Sequence, residues 1–157
     1  MFIAAEPFGM IAGLPLHPLL VHSAVVLVPL VAIGALVMSY LPSFSRRHGK
    51  LILILALVAQ VSVFLAKMSG EAFSEILKKD VDKHAELGEI APFVTIPMVA
   101  LIYLRWRMDR AGSSTGSVAI RRLTSVALVI ASVVSLVMIF LVGHSGASSV
   151  WGWIDKL

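Results

Sequence analysis

No charged side chain occurs between Glu6 and Arg46, and most of the residues between them are apolar. A helix needs about 20 apolar residues to cross the roughly 30 Å hydrocarbon layer of a bilayer. The apolar run begins at residues 16–29, LHPLLVHSAVVLVP, with two histidines, His17 and His22. The sequence therefore predicts a membrane span whose polar chemistry lies at one end.

The first turn of this span decides whether its two histidines can act together. Pro18 suits the first position of a helix, where its missing N–H would have no partner within the helix. His17 is then expected at or just before the cap, and His22 in the second turn. Five residues at about 100° each would separate the two imidazoles by roughly 140° if both were helical. We therefore expect them to converge only if His17 folds back from a non-helical segment.

The composition is that of a membrane protein with several spans. Of the 157 residues, 59% are hydrophobic and 14% are charged, and the mean hydropathy is +0.95. A soluble domain has about 25% charged residues. Cysteine is absent, which excludes disulfides, iron–sulfur clusters and thiolate metal sites. Any cofactor must then be bound by histidine, carboxylate, methionine or backbone.

The net charge of +4 comes from basic residues in loops beside the spans. No nucleic-acid partner is therefore expected.

Four spans are predicted in a single all-α domain, a four-helix transmembrane bundle over residues 1–157. They cover about residues 18–41, 51–67, 87–106 and 123–142. Residues 42–50 are predicted to form a polar loop, and the segment between the second and third spans a short interfacial helix on the membrane surface. No internal repeat is evident in the sequence.

The loop charges predict the orientation. Three basic residues lie in the first connection and five in the third, so both should be cytoplasmic under the positive-inside rule. Both termini are then expected outside the cytoplasm, in a multi-pass protein of the inner (plasma) membrane.

This topology gathers ionisable residues in one extracytoplasmic layer. Every span contributes to that layer, and its members are His17, His22, Glu71, His84 and His144. Ionisable groups at the edge of an apolar bundle are costly unless they are paired or bind a ligand, which makes them candidates for function. His48 alone falls on the opposite side.

Three interpretations of this layer remain open. Haem b could be ligated by two histidines on different helices, such as His22 and His84, with the other two serving as propionate partners or proton carriers. A zinc, copper or iron ion could instead be bound by three or four of the histidines with Glu71 as an oxygen ligand. In the third interpretation no cofactor binds, because imidazoles are amphipathic and helix ends lie at the wet interface.

Four motifs in order resemble a known family. They are His-Pro-Leu-Leu-Val-His at 17–22, Ser-Gly-Glu at 69–71, His-Ala-Glu-Leu-Gly-Glu at 84–89 and Gly-His-Ser-Gly-Ala at 143–147. Together they are similar to the bacterial four-helix membrane family catalogued as domain of unknown function 2231. The resemblance covers nearly the whole chain and implies the same five site residues. Some relatives are fused to Rieske or cytochrome c modules, which implies a redox setting, although the family has no established activity.

We therefore expect a small membrane protein whose histidine cluster binds a redox cofactor, haem b by preference. It would act as an electron-transfer or accessory subunit of a respiratory-type complex, with other membrane subunits or a separate redox protein as partners. The alternatives are a metal-handling or assembly role for a His/Glu metal site, and a cofactor-free accessory subunit. No catalytic residues are expected, since neither a Ser-His-Asp order nor a zincin motif is present.

Overall fold

In a computed structural model, which describes residues 10–11, 14–77, 82–112, 117–152 and 154, the chain is a bundle of four long helices. The elements are β1 (Met10–Ile11), β2 (Leu14–Pro15), α1 (Leu16–Tyr40), α2 (Pro42–Leu77), α3 (Asp82–Arg110) and α4 (Val118–Trp151). The two short strands pair antiparallel ahead of α1. All four helices are long and apolar enough to cross a membrane, so the predicted all-α bundle with four spans is confirmed.

The first two helices are joined by a single residue, Leu41. Pro42 begins α2, where a proline costs no hydrogen bond within the helix. The polar loop predicted over residues 42–50 is therefore wrong, because those residues form the first turns of α2. The side chains of Arg46 and Lys50 are exposed there, so their charges do not oppose helix formation.

The second and fourth helices are longer than the sequence predicted. The helix α2 continues past Lys67 to Leu77 without a break, so a separate interfacial helix is not shown, and residues 78–81 lie outside the described part of the chain. Ser117 caps the start of α4 by accepting a hydrogen bond from the Ile120 N–H at 3.3 Å. The same helix runs on past residue 142 to Trp151, which places His144 inside it.

Each helix packs against the two neighbours beside it, in the order α1, α2, α3, α4 around the bundle. Small residues let the backbones approach closely; at Gly34, for example, an added Cβ would lie 2.7 Å from Ile52 Cδ1. Large apolar side chains point outward instead: Val26 is 63% exposed and Phe140 is 68% exposed. This outward apolar surface is the face that meets lipid.

The second helical hairpin repeats the first. One constant shift in residue number relates the buried positions of α1 to those of α3, in the pairs Ala24/Ala91, Val28/Thr95, Val31/Met98, Ala35/Ile102 and Met38/Arg105. Another shift relates α2 to α4, in the pairs Ile52/Leu128, Ala56/Ser132, Ala59/Ser135, Val63/Ile139 and Ser69/Ser145. The bundle thus has an approximate two-fold axis along its length, an internal repeat that the sequence did not reveal.

Candidate functional site

His17 lies in the first turn of α1, and its ring reaches the neighbouring helix α2. Its Nδ1 lies 3.0 Å from the carbonyl oxygen of Ala66 and 3.3 Å from Ser69 Oγ. Because a carbonyl oxygen can only accept a hydrogen bond, the contact with Ala66 places the proton of the neutral ring on Nδ1. The lone pair of the ring is then on Nε2, the nitrogen through which a histidine so oriented ligates a metal.

His84 repeats this arrangement in the second hairpin. Its Nδ1 lies 3.1 Å from the carbonyl oxygen of Val142 and 3.2 Å from Ser145 Oγ. Ser145 also donates to the Val142 carbonyl at 2.9 Å, as Ser69 does to its own partner carbonyl at 3.0 Å. Each hairpin therefore fixes one imidazole by the same pair of contacts.

A glycine follows each of these serines and makes room for the ring. A Cβ added to Gly70 would lie 3.0 Å from Cε1 of His17, and one added to Gly146 would lie 3.0 Å from Cε1 of His84. The Ser-Gly pairs at 69–70 and 145–146 were not predicted as part of the site. Their recurrence near the ends of the second and fourth helices was the signal available in the sequence.

The two rings meet across the bundle axis. The ring centroids of His17 and His84 are 6.0 Å apart, and the ring planes are inclined by 74°. Beside them is an apolar recess with a volume of about 40 Å³, bounded by Ala24 and Ala91 among others. A single water needs about 10–15 Å³, so this recess has room for an ion or a few waters.

The separation of the rings limits the coordination geometry they could support. A metal–imidazole bond is about 2.0–2.1 Å long, and the ring centre lies roughly 1 Å behind the ligating nitrogen. Two rings on opposite sides of one ion would then have centroids about 6 Å apart. If the two nitrogens and the ion formed a tetrahedral angle, the centroids would be about 5 Å apart. The observed 6.0 Å leaves room for one ion between the two rings.

The other predicted site residues lie at the same end of the bundle but not in the pair. His22 is exposed, and its Nδ1 bonds the Pro18 carbonyl of its own helix. It does not converge with His17, because both residues are helical. Glu71 forms an ion pair with Lys67.

His144 is also separate from the pair. It is exposed and stacks on Phe140, with centroids 6.0 Å apart. His48, at the opposite end as expected, packs on Phe44 with centroids 4.9 Å apart. Among the residues that the structure describes, no three or more histidine, aspartate or glutamate side chains form a group that could hold a metal ion.

A buried ionic cluster at the opposite end of the bundle was missed by the sequence analysis. Asp109 is fully buried and accepts hydrogen bonds from Arg105 Nε at 2.6 Å and Arg121 Nη2 at 2.7 Å. The signal was available, because Asp109 is the only acidic residue between Glu89 and Asp155 in a strongly basic region. The cluster links α3 to α4, and its charges are paired with one another. The candidate site for cofactor chemistry is therefore the pair of imidazoles.

Comparison with known proteins agrees with this architecture. A family model described as a predicted membrane protein (DUF2231) matches residues 13–153. The chain belongs to this family. The DUF2231 match includes all four helices and both histidines of the pair. A search of curated proteins and a search of solved structures each found no match, so membership in DUF2231 supports a membrane protein without assigning it a cofactor or a reaction.

Proposed function

We propose that His17 and His84 together ligate one redox-active metal centre, and that the protein is an electron-transfer or accessory subunit beside other membrane subunits or a separate redox protein. The supporting observation is the geometry of the pair: each Nδ1 is within 3.1 Å of a backbone carbonyl, and the ring centroids are 6.0 Å apart. Histidines that ligate a metal typically donate their other ring N–H to a carbonyl or carboxylate in this way.

Haem b is the first candidate for this centre, because a haem in a membrane bundle can be held by two histidines on different helices, and His17 and His84 would supply them. The small alanines and glycines around the pair suit a flat ligand. The recess of about 40 Å³ is nevertheless far below the 300–1,000 Å³ of a typical cofactor pocket. Haem b would therefore bind only if the two hairpins moved apart.

A copper ion is the second candidate, and the volume of the recess favours it. Copper accepts imidazole ligands in a square-planar arrangement, in which two rings can lie on opposite sides of the ion. Iron without a porphyrin would fit the same space. Zinc fits less well, because zinc sites in proteins have at least three protein ligands and the pair of histidines would supply two. A bare ion would favour a metal-handling or assembly role.

The location we propose is a bacterial inner (plasma) membrane, with both termini and the pair on the extracytoplasmic side. The helix ends at the other end of the bundle are rich in basic residues, which favours a cytoplasmic position for that end. The basic residues there are Arg46, Arg47, Lys50, Arg105, Arg107, Arg110, Arg121 and Arg122.

The test is an oxidised-minus-reduced visible spectrum of detergent-purified protein, with elemental analysis of the same chelator-free sample. A reducible haem band that disappears in His17→Ala and in His84→Ala, but persists in His48→Ala, would support haem b. A protein with no haem band but with one equivalent of copper or iron that is lost in His17→Ala and in His84→Ala would support a bare ion. If wild-type protein has neither colour nor metal, the proposal fails and a cofactor-free accessory subunit remains.

A further inference from the structure

We propose a second binding site, for the ring of a lipid-soluble quinone, in a groove between α1 and α4. The groove is lined by Val25, Pro29, Ile139, Phe140, Gly143 and His144, and it has a volume of about 450 Å³. That volume is in the 300–1,000 Å³ range of small-molecule pockets. Val25 and Phe140 are exposed on the outer surface of a span, so a ligand would enter from the bilayer.

The upper part of the groove offers two aromatic rings, one of which has polar nitrogens. Phe140 and His144 lie one helical turn apart with their rings parallel to within 9°. Between them Gly143 leaves the backbone bare, since a Cβ added there would meet no atom within 4 Å. His144 makes no hydrogen bond within the described part of the chain. A quinone matches these features, because it combines a flat ring, carbonyl acceptors and an apolar tail.

The internal repeat provides a comparison surface that lacks these features. The interface between α2 and α3 is related to the groove by the two-fold axis, and Phe64 stands there where the groove has Phe140. Phe64 packs against Phe93 of α3, with centroids 6.1 Å apart and planes at 81°. In α1 the position equivalent to Phe93 is Val26, which is too small to cover the ring in the same way.

The polar and small residues of the groove are also specific to it. The counterpart of His144 in α2 is Met68, and the counterpart of Gly143 is Lys67. A ring nitrogen beside a bare backbone therefore occurs at only one of the two equivalent interfaces within the described chain. An acyl chain would need neither aromatic rings to pack on nor a hydrogen-bonding group, which favours a ring with a carbonyl as the ligand.

The groove adjoins the candidate site. Val25 and Ile139 line both the groove and the recess beside His17 and His84. A ring in the groove would thus lie one layer of side chains from the pair. The choice of a quinone over another lipid-soluble carbonyl compound rests on the proposed redox function, whereas the binding site itself does not require a metal.

The experiment is a calorimetric titration of decylubiquinone into the full chain in phosphatidylcholine nanodiscs. We expect saturable binding of one equivalent. Gly143→Leu should fill the groove, and His144→Phe should keep the ring but remove its nitrogens; each should weaken binding at least tenfold. Val137→Phe is the control, because Val137 is exposed on α4 outside the groove, and it should bind as the wild type does.

Two results would overturn this site: unchanged affinity in both groove variants, or displacement of decylubiquinone by equimolar decanol, which has the chain without the ring. A titration of decylubiquinone into His17→Ala separates this proposal from the metal proposal. That variant should lose metal or colour but retain quinone binding. Quinone binding by a wild-type protein that contains no metal would refute the redox centre and leave the groove assignment intact.

Discussion

The imidazole of His17 rests against the backbone of Gly70, where even one methyl group would come within 3.0 Å of the ring carbon Cε1. Ordinary carbon–carbon contacts are about 3.5–4.0 Å, so the glycine is required for the ring to lie where it does. The hydrogen bond to the Ala66 carbonyl fixes the same ring from the side. The position of this histidine is thus determined by α2 as much as by its own helix.

The proposed metal centre predicts that substitution of these glycines reduces its binding. Gly70→Ala, or Gly146→Ala in the second hairpin, would displace a ring by a few tenths of an ångström, which exceeds the roughly 0.2 Å tolerance of a metal–ligand bond. We expect the metal or haem content to fall several-fold, as measured by elemental analysis and visible absorbance. Gly143→Ala is the control, because its Cβ meets nothing within 4 Å. Full occupancy in Gly70→Ala would contradict the role assigned to that contact.

Neutralising the buried aspartate should destabilise the bundle. Asp109→Asn leaves Arg105, which is only 5% exposed, without its charged partner, and breaking a buried ion pair typically costs about 3–5 kcal/mol. The expected result is a clear decrease in Tm in detergent, measured by circular dichroism. Arg122→Gln, at an exposed position nearby, should leave Tm almost unchanged; equal shifts in the two variants would argue against the cluster.

The hydrogen bonds of Gln60 should couple α2 to α3. Its Nε2 donates to the Pro92 carbonyl at 2.9 Å, and Thr95 donates to its Oε1 at 2.8 Å. The residues at the equivalent positions of the repeat are Leu136 and Val28, so Gln60→Leu and Thr95→Val should be tolerated sterically. A double-mutant cycle on the free energy of unfolding should give a coupling of about 0.6 kcal/mol, and not above about 1.7 kcal/mol. Zero coupling would mean that this bond contributes nothing to stability.

The orientation can be tested directly because the chain has no cysteine. Ser148 lies near the end of the bundle that holds the pair, and Lys50 lies near the basic end; both are exposed. A membrane-impermeant maleimide should label Ser148→Cys in intact spheroplasts, and should label Lys50→Cys only after the membrane is opened. The reverse pattern would place the pair in the cytoplasm.

The sequence was sufficient to predict the four spans and the end of the bundle at which the histidines lie. It could not predict which histidines meet, because that depends on the rotation of each helix about its own axis. These helices are apolar on nearly every side, so the usual amphipathic pattern that would indicate a buried face is weak. His17 and His84 turn inward through contacts with other helices, whereas His22 and His144 remain exposed.

The repeat was hidden for a different reason. The shift from His17 to His84 differs from the shift from Ser69 to Ser145, because the connections within the two hairpins differ in length. Most equivalent residues also differ in chemistry, such as Met38 and Arg105. The recurring Ser-Gly pairs at 69–70 and 145–146 were a signal in the sequence, but the burial pattern and the paired contacts of the imidazoles require the three-dimensional structure.

Half of the histidine pair comes from each hairpin, and this has an evolutionary consequence. A two-helix ancestor with one histidine and one Ser-Gly pair could have formed the same site by associating with a second copy of itself. Fusion of the two copies would have freed the two interfaces to diverge from each other. In the present chain one interface is closed by Phe93 and Gln60, whereas the other has His144 in a groove that is open to the membrane.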